Sequence, residues 1–304
     1  MSTRANMNEQ KSSSDMRYYQ LREDGTPRLA VQTTDGLYDL TAAKDRLQTL
    51  EDLFCAADIT DRSIDAVADG LLEDATPLDS DVVESDALAT PVSSEIWAAG
   101  VTYRISEEAR QAESDTPDMY IDVYESDRPE VFFKATPERT VDPDEAVGIR
   151  ADSEWDVPEP ELGVVLSDGE IVGYTVGNDM SSRSIEGRNP LYLPQAKVYD
   201  KCCSIGPCVT SADSIDDPHD LEMWMTISRD GEVLYDDSTN TGKMVRSVEE
   251  LVECYTAHNA IPDVAVLLTG TSLVPDEEFT LEEGDVIEIG LEDIGTLTNT
   301  VVEV

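Results

Sequence analysis

The sequence predicts a strand-dominated α+β fold, and three observations carry that expectation. Two Asp-Gly pairs, Asp168-Gly169 and Asp230-Gly231, each lie between strand-like runs, the signal of a tight hairpin. Leu221, Met223, Met225 and Ile227 alternate with Glu222, Trp224, Thr226 and Ser228, the period of a half-buried strand. Helical spacing, by contrast, is short and infrequent.

In chain order, residues 1–15 read as a polar arm without the apolar stretch of a secretory leader. Arg17 to Arg22 and Arg28 to Thr33 flank the turn Glu23-Asp24-Gly25, and Leu37 to Leu40 follows Asp35-Gly36, so a small antiparallel sheet is expected. Leu47, Leu50, Leu53, Phe54 and Ala57 share one helical face. Residues 58–91 are rich in Asp and broken by Pro77 and Pro91, which places a boundary near residue 90. The expected division is a small N-terminal α+β domain over 16–90 and a larger domain over 91–304. The larger part opens with a strand through Ile96 and Trp97 that ends at Gly100, and a short helix follows from Ser106 through Arg110. Gly163 to Leu166 and Ile171 to Asn178 form the arms of the first hairpin. Ser247 and Glu250 make a capping box ahead of a helix that buries Val248, Leu251, Val252 and Tyr255. Val286 to Leu291 and Leu297 to Val304 close the chain as strands.

With 304 residues, 40% hydrophobic and 29% charged, the chain can bury one large core or two modest ones. No apolar run approaches the roughly 20 residues of a bilayer crossing, so no membrane partner is expected and the cytoplasm is the default. Asp and Glu number 66 against 21 Lys and Arg, a net charge of −45 spread along the whole length. Such self-repulsion is tolerable where molar salt shortens the Debye length to about 3 Å, so the chain reads as halophilic. The same anionic surface disfavours nucleic acid as a partner. The five cysteines lack the spacing of a disulfide framework or a zinc knuckle and read as small core residues of a reducing compartment. A Gly-rich dinucleotide loop, a Walker loop and a nucleophile elbow are all missing from the sequence.

Chemistry concentrates in Trp155 to Leu162 (WDVPEPEL). In an extended chain Glu159 and Glu161 face the same way, and their charges repel unless a cation lies between them. The alternative is a pair of solvated glutamates in an acid-rich protein. Pro160 lacks an N–H and suits an edge or a mouth. The returning strand brings one of two residues beside Glu159. A two-residue turn sets Asn178 there and a three-residue loop sets Asp179. Three carboxylates favour Asp179, because an all-oxygen shell suits Mg²⁺ or Mn²⁺. Lysine is scarce, with only six in the chain, so Lys134 and Lys197 stand out.

Several motifs in order resemble the fumarylacetoacetate hydrolase superfamily. They are Arg128 to Pro137 (RPEVFFKATP), Asp152 to Trp155, Pro158 to Leu162 (PEPEL), Gly173-Tyr174-Thr175 with Asn178-Asp179, and Asn189 to Lys197 (NPLYLPQAK). Cys202-Cys203 with Gly206-Pro207, Thr269-Gly270-Thr271 and Gly295-Thr296-Leu297 extend the likeness from about residue 95 to the end, whereas the first 90 residues match only loosely. The resemblance implies a β-roll catalytic domain in which Glu159, Glu161 and Asp179 hold a divalent ion and Glu130 and Lys197 flank the substrate. The family's hydrolase branch carries a His and a Glu that activate water after an Asn-Tyr pair. Here Tyr103 is followed by Arg104-Ile105-Ser106, which disfavours carbon–carbon hydrolysis.

Within the superfamily the motifs resemble the branch that dehydrates 2-keto-3-deoxy sugar acids, which implies conversion of a 2-keto-3-deoxypentonate to 2,5-dioxopentanoate in oxidative pentose degradation. The alternative is an acylpyruvate-type hydrolase or decarboxylase. Lys197 is the candidate base for C3 and Glu130 the candidate acid for the C4 hydroxyl, with the two roles exchangeable. Lys134 either neutralises the substrate carboxylate or pairs with an acid. Thr271 either offers its hydroxyl and N–H to that carboxylate or is a turn residue. Arg183 reads as a structural tie, and relatives suggest a homo-oligomer, dimer or tetramer.

Overall fold

The computed structural model describes residues 15–84, 88–92, 94–103, 123, 126–276 and 278–304. All of the polar arm but Asp15, and the short helix expected from Ser106, lie outside the described residues. The first hairpin organises the centre of the fold. Its arms are β11 (Pro160–Ser167) and β12 (Glu170–Asp179), and β11 is buried on both faces through Leu162, Val164, Val165 and Leu166. Asp168 and Gly169 take the positive φ values of a two-residue turn, so Ser167 pairs with Glu170 and Leu166 with Ile171.

Beyond Val165 the register shifts by one, and from Val165↔Gly173 to Pro160↔Asn178 the pairing is that of a longer loop. A bulge leaves Val172 as the extra residue. The turn is thus the two-residue kind, yet the bulge still brings Asp179 beside Glu159, and the Asp179 N–H donates to the Glu159 carbonyl at 2.9 Å.

Around this hairpin runs a sheet of twelve strands. β12 pairs on its other edge with β14 (Cys203–Ser211), and β11 pairs with β17 (Val264–Leu268). β17 continues in parallel to β6 (Ile96–Gly100), which pairs with β7 (Glu130–Ala135). On the far side β14 meets β1 (Arg17–Glu23), followed by β2 (Thr26–Thr33), β3 (Gly36–Asp39) and β4 (Thr76–Leu78). β5 (Leu88–Ala89) and β8 (Thr140–Val141) add to β1 and β14. The expected N-terminal antiparallel sheet is present, and its hydrogen bonding runs on into the strands of residues 91–304 through Arg17↔Thr210 and Tyr18↔Val209.

α1 (Leu40–Ala43), α2 (Leu50–Thr60) and α3 (Ile64–Asp69) cover this end. α2 starts in a capping box of Thr49 and Asp52 and buries Leu50, Leu53, Phe54 and Ala57. Asp65 of α3 accepts from the Tyr18 and Ser211 hydroxyls, both at 2.7 Å, and so ties the helix to β1 and β14.

β9 (Ala146–Ile149), β15 (Glu222–Arg229), β16 (Glu232–Asn240), β18 (Val286–Leu291) and β19 (Gly295–Glu303) make a five-stranded sheet. Met223, Met225 and Ile227 are fully buried, as the alternation predicts. The sheet reaches the centre through Asn299, whose amide oxygen accepts from the Asn178 Nδ2 at 3.3 Å. β10 (Asp156–Val157) and β13 (Ser181–Ser182) form a short pair at the mouth. It is followed by α4 (Arg183–Glu186) and α5 (Leu193–Lys197). The Ser247–Glu250 capping box starts α6 (Val248–Thr256).

Candidate metal centre

Three carboxylates converge where β11 begins and β12 ends. Oxygens of Glu159, Glu161 and Asp179 all lie within 4.8 Å of one another, and the three residues are 4%, 1% and 0% exposed. β17 pairs with β11 only from Gly163 onward, so Pro160, lacking an N–H, sits where that neighbour has already ended. The chain leaving β17 turns at Gly270, whose N–H donates to Glu161 Oε2 at 2.6 Å. Gly270 has a φ of +83°, and a Cβ there would meet the Thr102 Oγ1 at 2.2 Å and the Ala99 carbonyl at 2.9 Å, so only glycine brings that N–H to the carboxylate.

Buried cations face these acids. Lys197, the last residue of α5, places Nζ 2.7 Å from Glu159 Oε2 and 3.1 Å from Asp179 Oδ2. Its Nζ also lies 5.6 Å from the centre of the Phe132 ring. Arg183 of α4 reaches Glu159 Oε1 at 2.9 Å. Lys134 of β7 is fully buried with Nζ 2.6 Å from Asp179 Oδ1, and it donates to the carbonyls of Met180 (2.8 Å) and Lys197 (2.6 Å). Burial is the largest single influence on the Lys134 pKa and lowers it, but Asp179 together with Cys202 and Cys203 leaves it raised. Burial, and then the charges of Asp179 and Glu159, push the Glu161 carboxyl well above the usual carboxylate range.

The residues fit a hard divalent ion. Three buried carboxylates crowd one point, Glu161 is pushed well up by burial and by its two neighbours, and their oxygens are the donors Mg²⁺ and Mn²⁺ prefer. Phe132, Ala99, Gly100, Val101, Gly270 and Thr271 complete the lining. Glu130, at the start of β7 opposite Gly100, rests its carboxylate on that glycine, where a Cβ would lie 2.0 Å from Oε2. A more voluminous cleft of about 520 Å³ lies elsewhere, between α2, α3 and the first hairpin, but it is open and edged by scattered acids such as Asp58 and Asp213.

Every residue singled out from the sequence except Lys134 therefore lines or borders one pocket. Of the two readings of Lys134 the geometry realises the acid pair. Its three N–H groups are spent on Asp179 and two carbonyls, which leaves none for a substrate carboxylate. The Thr271 hydroxyl accepts the Leu273 N–H at 3.0 Å, a turn contact, while the residue still lines the pocket. Arg183 is the tie expected of it, though to a metal-site carboxylate. In the sequence Gly270 stands out only within a family motif and Gly100 only as a strand end, because what they do for Glu161 and Glu130 depends on strands distant along the chain. Residues 104–106, where the hydrolase-type segment would stand, lie outside the described residues.

Several known proteins are similar to this chain. Residues 95–302 match the model of the fumarylacetoacetate (FAA) hydrolase C-terminal family. A probable 2-keto-3-deoxyxylonate dehydratase of Haloferax volcanii is 61% identical over 289 residues, covering 95% of this chain and all of the relative. A 2-dehydro-3-deoxy-D-arabinonate dehydratase of Saccharolobus solfataricus is 44% identical over 212 residues, 68% of this chain and 71% of that one. A solved structure of 2-keto-3-deoxy-D-arabinonate dehydratase, complexed with magnesium and 2,5-dioxopentanoate, superposes with a TM-score of 0.82. It is 33% identical, over 95% of this chain and 99% of that one.

Proposed function

The chain belongs to the fumarylacetoacetate hydrolase family, and on that premise we propose that it is a metal-dependent hydro-lyase. Its substrate is a 2-keto-3-deoxypentonate, the 2-dehydro-3-deoxy acid derived from arabinose or xylose, and its product is 2,5-dioxopentanoate. The observation that carries the reading is the buried trio Glu159, Glu161 and Asp179 with Lys197 and Glu130 on its flanks. Glu159, Glu161 and Asp179 would hold Mg²⁺, or Mn²⁺, and the ion supplies positive charge at the C2 carbonyl oxygen of a 2-keto acid, which acidifies C3.

Lys197 Nζ, beside two of the three acids and over the Phe132 ring, would be pushed toward its neutral amine by a divalent ion held there, and in that form it takes the C3 proton. The Glu130 carboxyl, seated on Gly100 at the pocket rim, gives a proton to the departing C4 hydroxyl. Exchange of these two roles yields the same product. Loss of water followed by tautomerisation toward C5 leaves the aldehyde. Thr271, which also lines the pocket, orients the substrate carboxylate.

The chain divides for this purpose into an arm (1–15), an N-terminal segment (16–90) and a catalytic segment (91–304) that carries every residue of the site. Among the described residues no helix is long and apolar enough to cross a membrane, and we place the enzyme in the cytoplasm as a homo-oligomer, dimer or tetramer. The deciding experiment is aldehyde trapping on 2-keto-3-deoxypentonate in molar KCl with and without Mg²⁺. Formation of 2,5-dioxopentanoate only with the metal supports dehydration. Pyruvate released from an acylpyruvate, with no aldehyde from the sugar acid, would instead support the hydrolase alternative.

A further inference from the structure

Around the metal centre three buried carboxylates face three buried cations. Among the described residues Glu159 meets Arg183 and Lys197, Asp179 meets Lys134 and Lys197, and Glu161 receives only the Gly270 N–H. All six side chains are at most 6% exposed. Glu186, a further buried acid on the turn of Arg183, accepts from the Ser181 hydroxyl at 3.0 Å and stays outside the pocket lining. With each of these six groups ionised, their formal charges sum to zero before any ion enters. A divalent ion alone would raise the sum to +2 in a place where uncompensated charge is costly.

We propose that this balance makes the centre take up its metal together with a substrate anion rather than ahead of it, and that Lys134 is the positioning residue that sets the balance. This inference rests on the dehydratase reading for the identity of the anion. Lys134 suits the role because it never leaves. Lys197 lies in the pocket and can swing from Glu159 and Asp179 when an ion takes their oxygens. The Lys134 ammonium is locked by Asp179 Oδ1 and two carbonyls, one of them the carbonyl of Lys197 at the end of α5. It holds a fixed positive charge against Asp179 and, through that carbonyl, the backbone that carries Lys197. A 2-keto acid carboxylate entering with the ion would restore part of the neutrality that the ion alone destroys.

The test is calorimetric titration of Mn²⁺ into the full chain in molar KCl, alone, with saturating pyruvate, and with saturating pyruvamide. Pyruvate carries the charged 2-keto acid group but has no C4 hydroxyl to lose, and pyruvamide keeps the chelating shape without the charge. The Mn²⁺ Kd is expected to fall at least tenfold with pyruvate and less than twofold with pyruvamide. Lys134→Met is expected to bind Mn²⁺ alone at least tenfold more tightly than the wild type, with the pyruvate effect reduced below threefold. A merely structural lysine would give the opposite sign, looser binding.

Equal gains from pyruvate and pyruvamide, or a Lys134→Met chain that binds Mn²⁺ no more tightly, would overturn the proposal. If Lys134→Met does not fold, the comparison of the two small molecules in the wild type decides alone. Turnover of 2-keto-3-deoxypentonate is followed in parallel. An active enzyme without charge-linked metal binding refutes this inference only, and charge-linked binding without dehydration refutes the functional reading only.

Discussion

Gly100 offers a way to move one functional group without touching it. A Cβ at residue 100 would lie 2.0 Å from Glu130 Oε2 and 2.8 Å from its Cδ, whereas ordinary contact begins near 3.4 Å. In Gly100→Ala the carboxylate must therefore retreat by about 1.4 Å. The group displaced is the far end of a flexible side chain and not backbone, so β6 and β7 keep their pairing and the chain folds. Misplacing a reacting group by about 1 Å costs on the order of 100-fold in rate, and we expect kcat to fall by about that factor. Mn²⁺ binding stays within about twofold, because none of the three acids is touched. The assay is the initial rate of aldehyde formation, run beside Glu130→Gln and the double variant. If Gly100 acts through Glu130, the double variant is no slower than Glu130→Gln alone. Full activity of Gly100→Ala, or a double variant slowed by the product of the two single effects, would refute the reasoning.

Three further outcomes follow from the same geometry. Lys197→Met should lose turnover by about 10²–10⁴-fold while circular dichroism and Mn²⁺ binding persist, and a variant retaining a tenth of the rate would remove Lys197 from the chemistry. Dialysis against EDTA should abolish dehydration, with return on adding Mg²⁺ or Mn²⁺, and Glu161→Gln should need at least tenfold more metal for half-maximal rate; activity indifferent to chelation would end the metal mechanism. Asp156, whose Oδ1 is buried without a hydrogen-bond partner among the described residues, is pushed up to about 6 by burial. Its folded pKa lies above the unfolded one, so its favourable contribution is complete below about pH 4 and lost as pH rises through about 6. Asp156→Asn should accordingly be the more stable chain at pH 7–8, by no more than about 3 kcal/mol, and lose that advantage at acid pH; parallel melting curves from pH 4 to 8 would contradict it.

How far the site was legible depends on how local each cause is. The Glu159–Glu161 face needs only the two-residue period of an extended chain, and both Asp-Gly hairpins need only turn chemistry, so these appear in the structure as read. The partner of Glu159 needed more. A two-residue turn alone would have delivered Asn178, and the bulge after Gly169 that delivers Asp179 leaves no mark in the pattern of Ile171 to Asn178. Arg183 carried no spacing signal because its contact with Glu159 spans the return of an entire hairpin.

Composition, alternation, turns and the run of family motifs belong to the chain itself, since each rests on neighbours within a few residues. Those features were enough for the α+β class, the carboxylate pair and the family. The burial of Lys134, the seat of Glu130 on Gly100 and the equality of charge around the centre came only with the fold. Each depends on strands that are far apart along the chain and become adjacent when β7, β6, β17, β11 and β12 line up in one sheet. Charge balance in a buried site is a sum over such neighbours, and no stretch of sequence contains that sum.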